Sequence, residues 1–326
     1  MPMKAVLQDT YGTSAVLRVD DVGKPSPGPG DVMIEVEAAS IHIGDWHVMT
    51  GLPLLARLAL GFRVPRDRVR GMDVAGRIVG TGSAVTGHMV GDAVFGVAKG
   101  AFAEFAVAPA GSVVRTPSNA TANQAAAIPT SAATALHAVR DAGGLQPGQR
   151  VLVLGAAGGV GIFAVQIAKA LGGHVTGVCS GPKLDLVRSL GADSVLDYQR
   201  EDFTTMEQRY DLIIDMGGRR PVKQLRRALR PAGTIVIVGG EGGGRILGGF
   251  GRSLLAPFAG LFSQQKIRGL ISVTKEADLL QLRTMVEMGT LRPVIDSTYP
   301  LARTAEGMRR VEEHLAIGKV VITVPA

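Results

Sequence analysis

The sequence predicts an α/β chain in two parts, a doubly wound parallel sheet and a smaller all-β, barrel-like domain. Three observations carry this expectation. Up to about residue 120 the apolar residues come in short runs broken by Gly and Pro, the spacing of a small β domain. From Arg150 the rhythm turns to strand, helix, strand, helix, as parallel βαβ units require. Beyond Gly289 the pattern returns to short strands around one helix, so the chain is expected to re-enter its first part. With 326 residues, two domains are also the natural prior.

The elements follow in order. Val32, Ile34, Val36 and Ala38 alternate with Met33, Glu35 and Glu37, a period of two. Similar short runs lie at 75–79, 93–95 and 102–107. Thr121 followed by Gln124 forms a capping box for a helix that Pro129 interrupts. A second, Ala-rich helix is expected from about Ser131 to Ala142, stopped by Gly143 and Gly144. Val151, Leu152, Val153 and Leu154 form a continuous apolar run, as expected of a strand covered on both faces. The next helix puts Val160, Ala164, Ile167 and Leu171 on one face. Strands are predicted at 175–178, 194–196, 212–215 and 234–238, with helices at 184–190 and 222–229. A helix near 302–317 sits between strand-like 294–295 and 320–324. Two long apolar, Gly-rich stretches, 51–64 and 241–262, have the length of lids or binding walls and point to a bulky, greasy substrate.

Composition narrows the function. Hydrophobic residues make up 46% and charged residues 19%, which is globular rather than disordered. Cys179 is the single cysteine, so an internal disulfide and a multi-cysteine zinc site are excluded. The net charge is +7, but the basic residues are scattered and hardly any aromatics lie between them. Nucleic acid is therefore not expected as the primary partner, and the field serves to attract an anionic dinucleotide. The longest apolar stretch, 253–262, is about half a bilayer span and contains Pro257. With no signal-like start, a cytoplasmic protein with no membrane contact is expected.

The chemistry begins after Leu154, at Gly155-Ala156-Ala157-Gly158-Gly159-Val160-Gly161. This Gly-rich turn follows a predicted strand and opens a helix inside a βαβ unit, the context in which it binds a dinucleotide pyrophosphate on free backbone N–H groups. The second strand chooses the cofactor. An NAD site has an Asp or Glu about 20 residues past the first glycine, whereas this strand ends Val178-Cys179-Ser180-Gly181-Pro182-Lys183. No carboxylate is present to repel a 2′-phosphate, Ser180 can donate to it, and Lys183 adds positive charge. NADP(H) is expected. Ser180 as a plain helix cap and Lys183 as a solvated lysine are the alternatives.

With these pieces in place the sequence resembles the medium-chain dehydrogenase/reductase superfamily, in its zinc-independent quinone oxidoreductase-like branch. The resemblance spans essentially the whole chain. It rests on Gly71-Met72-Asp73-Val74-Ala75-Gly76, Gly91-Asp92-Ala93-Val94-Phe95-Gly96, the Ala156-x-x-Gly159-x-Gly161 turn and Gly318-Lys319-Val320-Val321. It implies a GroES-like β-barrel catalytic domain, 1–121 completed by 292–326, and a Rossmann domain, 122–291. It also implies hydride transfer in the cleft and a homodimer joined through the Rossmann sheets. Thr134 aligns with a nicotinamide contact, and Tyr198 with a tyrosine that reaches the 2′-phosphate. Gly239 and Gly240 would let the backbone approach the nicotinamide.

Zinc-dependent members carry a Cys near the 40–45 segment, a Gly-His-Glu motif and a second Cys before the Rossmann domain. This chain has His42, then Gly71-Met72-Asp73, then about Thr130, so no metal is expected; the alternative ligand set is His42, His47 and Asp73. In the zinc-free branch the first segment usually reads Asn-x-x-Asp, often followed by a Tyr near the nicotinamide. Here it reads His42-Ile43-Gly44-Asp45-Trp46-His47. Asp45 matches, while His42 and His47 depart. A histidine can deliver a proton near neutral pH, so His47 is the candidate acid, Asp45 the orienting group, and His42 a further candidate; the alternative is that either histidine is only a residue of the cleft wall. Trp46 reads as core packing, Asp73 as structural, and Cys179 as a neighbour of the adenosine without a catalytic partner. The expected activity is NADPH-dependent reduction of an apolar carbonyl, enone or quinone. The alternatives are an NAD(P)-dependent alcohol dehydrogenase, or a dinucleotide-binding protein with minor catalysis.

Overall fold

In the computed structural model, which describes residues 2–218, 220–239, 244, 246–248, 251–252 and 264–325, the chain divides into two units. One comprises the residues up to Ala133 together with those from Thr274 onward, and the other runs from Thr134 to Val273. The first unit begins with β1 (Pro2–Gln8), β2 (Leu17–Gly23), β3 (Asp31–Ile41), α1 (Ile43–Thr50), α2 (Arg57–Leu60) and β4 (Asp73–Thr81). It continues with β5 (Ala93–Val97), β6 (Phe105–Pro109), β7 (Val113–Arg115) and α3 (Ala122–Ala126). α4 (Pro129–Leu136) runs across the division.

β3 organises this unit. It pairs antiparallel with the later strand β15 (Lys319–Thr323), with β4 and with β6. Register shifts at Met33/Ile34 and Val36/Ala38 mark irregularities of the kind that bend a strand. One strand thereby serves several neighbours, as a barrel-like sheet demands. The inward residues foreseen from the alternation, Val32, Ile34 and Val36, join Ile78, Val94, Phe102, Val320 and Ile322 in one buried cluster.

The second unit holds β8 (Arg150–Leu154), α5 (Gly161–Ala170), β9 (His174–Cys179), α6 (Leu184–Ser189), β10 (Ser194–Asp197), β11 (Tyr210–Asp215), α7 (Val222–Ala228), β12 (Leu229–Ile237) and β13 (Lys266–Gly269). The strands form one sheet in the order β10-β9-β8-β11-β12-β13, every pair parallel. This is the doubly wound dinucleotide-binding order. β13 was not foreseen, because only Ile267 of its four residues is buried. α5 also differs from the one-faced helix expected, since Gly161 through Ala168 are all buried. The helix packs on β8 and β9 and on the π-helical stretch His137–Ala142, which leaves only Lys169 and Ala170 at its end exposed. Gln166 tolerates this burial by donating from Nε2 to Ile162 O at 2.8 Å.

The chain then forms α8 (Glu276–Glu287), β14 (Ile295–Pro300), α9 (Thr304–Glu312) and β15. β15 lies between β14 and β3, so the chain does return to the first sheet. The division falls at 133/134 and 273/274, where the sequence reading placed it at 121/122 and 291/292. α3 packs on β3 and β4, and α8 packs on β7, so both helices stay with the first unit. Among the described residues no helix is long and apolar enough to cross a membrane.

Candidate functional site

In the second unit, the predicted dinucleotide turn links the end of β8 to α5. Gly155 has φ +80°, which a side chain would resist. The Gly155 and Ala156 N–H groups donate to Val178 O at 3.1 and 3.0 Å, tying the turn to β9. A Cβ on Gly161 would lie 2.1 Å from Gly155 O, so only glycine permits this tight entry into the helix. The amides of Gly159, Val160 and Gly161 donate to no backbone carbonyl among the described residues. Free donors at the positive end of a ten-residue helix suit a pyrophosphate. Ala156 and Ala157 are buried behind the turn, and Gly158, Gly159 and Val160 are half-buried.

At the end of β9 the structure brings three predicted residues together. Ser180 precedes a short 3-10 turn, Gly181–Lys183, without capping it through its side chain. Neither Ser180 nor Lys183 makes a side-chain hydrogen bond or ion pair with a described residue. Tyr198 follows β10 and is 49% exposed, and its N–H donates to Cys179 O at 3.2 Å. One neighbour was missed by the sequence reading. Asp197, the last residue of β10, is buried, and its Oδ2 stands 2.9 Å from where a Cβ on Gly181 would sit. Its other oxygen accepts from Gln199 N–H at 3.0 Å. The exposed Arg200 brings its Nε to 3.8 Å from Oδ2, so the turn keeps a cation beside this carboxylate. Burial pushes the Cys179 thiol up to about 11, far from reactive thiolate chemistry.

Gly239 follows β12 at the same end of the sheet, its N–H donating to Asp215 O at 3.4 Å. Gly240 and most of the 241–262 stretch lie outside the described residues. Thr134 is half-buried on α4.

The first unit gathers His42, Asp45 and His47 on α1. His42 and Asp45 cap this helix reciprocally. Gly44 N–H donates to His42 Nδ1 at 2.9 Å, and His42 N–H donates to Asp45 Oδ2 at 2.9 Å. With Nδ1 accepting, the proton of a neutral His42 sits on Nε2, which lies 3.5 Å from Asp45 Oδ2 but lacks hydrogen-bond geometry. His42 thus spends Nδ1 and its backbone N–H on the start of the helix, while buried Nε2 makes no hydrogen bond with a described residue. Burial pushes the Asp45 carboxyl up, while the neighbouring His42 works against that shift.

His47 differs. Its Nδ1 lies 2.8 Å from Leu52 O, which fixes Nδ1–H as donor and leaves Nε2 as the acceptor of the neutral ring. Burial holds its imidazole below the ordinary value. At neutral pH His47 is therefore an acceptor at Nε2, and proton delivery belongs to its protonated form. Trp46 packs against the buried cluster of the unit.

Beside α1 lies a buried polar network that the sequence reading left unused. Asp73 and Lys319 are 0% and 1% exposed. Lys319 Nζ donates to Ser131 Oγ at 2.8 Å and stands 3.8 Å from Asp73 Oδ2. Asp73 Oδ1 accepts from Thr130 N–H and Oγ1–H at 3.1 and 2.5 Å, and Oδ2 accepts from Ser40 Oγ–H at 3.3 Å. A carboxylate from β4 thus supplies acceptors to the first turn of α4, where the helix dipole favours negative charge. Burial lowers the Lys319 pKa, opposed by the Asp73 and Asp45 carboxylates. The available signal was a lysine opening an otherwise apolar strand, Lys319-Val320-Val321-Ile322.

This donor set does not fit a zinc ion. Zinc asks for three protein ligands converging on an open position. His42 Nδ1 accepts from Gly44, Met72 replaces the motif histidine, Thr130 donates to Asp73, and a buried ammonium already faces that carboxylate.

Comparison with known proteins agrees with this architecture. The family profile described as Alcohol dehydrogenase GroES-like domain matches residues 28–118, and that described as Zinc-binding dehydrogenase matches 190–322. The chloroplastic quinone-oxidoreductase homolog of Spinacia oleracea is 32% identical, over 98% of this chain and 98% of its own. The mitochondrial NAD(P)H oxidoreductase RTN4IP1 of Bos taurus is 32% identical, over 99% of this chain and 89% of its own. The solved quinone oxidoreductase of Coxiella burnetii superposes with a TM-score of 0.87 at 28% identity, each chain covered in full. The chain belongs to the medium-chain dehydrogenase/reductase superfamily, in its quinone oxidoreductase-like branch.

Proposed function

We propose that this NAD(P)-dependent oxidoreductase reduces an apolar quinone, enone or similarly activated carbonyl with NADPH and without a metal. The observation that carries the reading is the end of β9, where the strand offers Cys179 instead of a carboxylate, and Ser180 and Lys183 are uncommitted to described partners. Bound NADPH supplies the hydride. The amides of Gly159, Val160 and Gly161 would hold the pyrophosphate, with Ala156, Ala157 and Gly158 shaping the turn. Ser180, Lys183 and Tyr198 would hold the 2′-phosphate, and Thr134, Gly239 and Gly240 would line the nicotinamide end.

An activated carbonyl needs a proton once the hydride has arrived, and protonated His47 would give it from Nε2. Asp45 and His42 orient that helix through their mutual cap. The donor set around Asp73 supports zinc-free chemistry, which suits a substrate that is already electrophilic. A homodimer acting in the cytoplasm belongs to the same proposal. The edge strand β13, unpaired on its outer side among the described residues, supports pairing between sheets.

The experiment is the loss of NADPH fluorescence against a panel of quinones, enones and aldehydes, repeated with NADH and after chelation. Turnover with NADPH that survives chelation is expected. A preference for NADH would overturn the reading of Ser180 and Lys183, and loss on chelation would overturn the metal-free reading. Tight NADPH binding without consumption on any substrate would make the chain a binding protein.

A further inference from the structure

The stretch 51–66 holds three arginines, Arg57, Arg63 and Arg66, and no carboxylate. Its backbone is firmly tied. Tyr11 Oη–H donates to Gly61 O at 2.6 Å, Arg57 Nε–H to Gly51 O at 3.0 Å, and Arg66 N–H to Leu60 O at 2.9 Å. The Arg57 guanidinium also lies 4.3 Å from the centre of the Tyr11 ring. Gly51, Pro53, Gly61 and Pro65 are buried.

On this fixed scaffold five large apolar side chains stay out in solvent. Leu54 is 37% exposed, Leu55 46%, Leu58 68%, Phe62 74% and Val64 55%. Isolated exposed leucines need no explanation, but five within eleven residues of one anchored loop do. Arg63 and Arg66 stand among them, exposed, and neither forms an ion pair with a described residue.

We propose that this loop docks on an anionic lipid surface. Its apolar tips would enter the boundary between headgroups and acyl chains, and Arg63 and Arg66 would meet the lipid phosphates. Apolar tips mixed with arginines and free of acids are the composition that holds a peripheral segment in a bilayer interface. A second copy of the chain fits less well, because the loop set against itself would face Arg63 and Arg66 with like charge. The contact is peripheral and needs no spanning helix. It stands whichever carbonyl compound the enzyme reduces.

The test is flotation of the full chain with vesicles of phosphatidylcholine alone or mixed with phosphatidylglycerol, at low and high salt. Binding to the mixed vesicles only, weakened by salt, is expected. Arg63→Gln with Arg66→Gln should weaken partition roughly 30-fold, from about fivefold for each arginine near the surface. Leu58→Ser with Phe62→Ser should abolish it while melting with the parent. Failure to float with any mixed vesicle, or equal flotation of either double variant, would overturn the proposal. A concentration-dependent dimer that Leu58→Ser with Phe62→Ser removes would give the surface to a second copy instead. Intact flotation of that variant with a raised KM for a water-soluble quinone would make the loop a substrate wall, and would equally overturn the lipid assignment.

Discussion

Replacing Lys319 by methionine isolates the energetic role of the buried network. The parent holds an ammonium 3.8 Å from Asp73 Oδ2 and 2.8 Å from Ser131 Oγ, with both charged side chains essentially excluded from water. Methionine fills a similar length of cavity but leaves Asp73 without its countercharge. Breaking one side of a buried pair costs about 3–5 kcal/mol. Asp73 keeps its hydrogen bonds from Thr130 and Ser40, which places the expected loss near the lower end, about 3 kcal/mol. For a unit of this size each kcal/mol moves the melting point by about 2–4 °C, so Lys319→Met should melt roughly 6–12 °C lower.

Trp46 is the single tryptophan and packs in the same unit, so its fluorescence reports the relevant transition. Adding Asp73→Asn should recover at least about 1 kcal/mol, because the second change removes the stranded charge. Burial lowers the Lys319 pKa from 10.5, so between the lowered value and 10.5 the unfolded chain binds more protons. The parent should therefore gain stability as pH rises across that window, and Lys319→Met should lack this gain. A single variant that melts within about 2 °C of the parent, against the shift expected from the stability relation, would refute the argument. A double variant no more stable than Lys319→Met would do the same.

Three further outcomes are expected. Gly161→Val forces a side chain against Gly155 O, 2.1 Å from the ideal Cβ, and should weaken NADPH binding more than about tenfold in a fluorescence titration; unchanged affinity would remove the turn from the binding site. Ser180→Asp places a carboxylate at the end of β9 and should shift the ratio of kcat/KM for NADPH over NADH about tenfold or more toward NADH. His47→Phe should slow turnover chiefly at acidic pH, where the parent imidazole carries its proton. The same residue is linked to stability. Its folded value lies below 6.5, so in that window the unfolded chain binds the extra proton. The parent should lose stability as pH falls through 6.5, and His47→Phe should flatten that part of the curve.

The second unit was the more legible from sequence. A continuous apolar run, a Gly-rich turn and a helix leave few alternatives, and β8, the turn and α5 stand where the residues placed them. What failed there was local. β13 carries one buried residue, so its pairing is set by the neighbouring strand rather than by its own pattern. α5 reads as one-faced, yet packing on both sides buries Gly161 through Ala168, and small residues hide that from a periodicity count.

In the first unit the alternation along β3 was readable, but the network around Asp73 was not. Its members come from residues 40, 73, 130, 131 and 319, and each looks ordinary in its own neighbourhood. Lys319 is the exception, a charge opening an apolar strand. His42 shows the reverse limit. Spacing makes it a candidate for chemistry, but does not show the cap that its Nδ1 forms on α1, which leaves only Nε2 for that role.

The position of β15 sets an order of assembly during synthesis. Residues 134–273 form an uninterrupted unit whose described strands pair with one another, and a ribosome releases them long before residue 319. The first sheet must wait, because Val320 pairs with Ile41 and Lys319 meets Asp73 only after the intervening unit has emerged. Such long-range closure is slow. Until it happens, β3 lacks one partner edge and Asp73 lacks its ammonium, so the nascent chain carries a finished nucleotide-binding unit beside an open sheet. Shortening the last strand should therefore trap the earlier segment as a protease-sensitive, aggregation-prone species while residues 150–215 stay resistant.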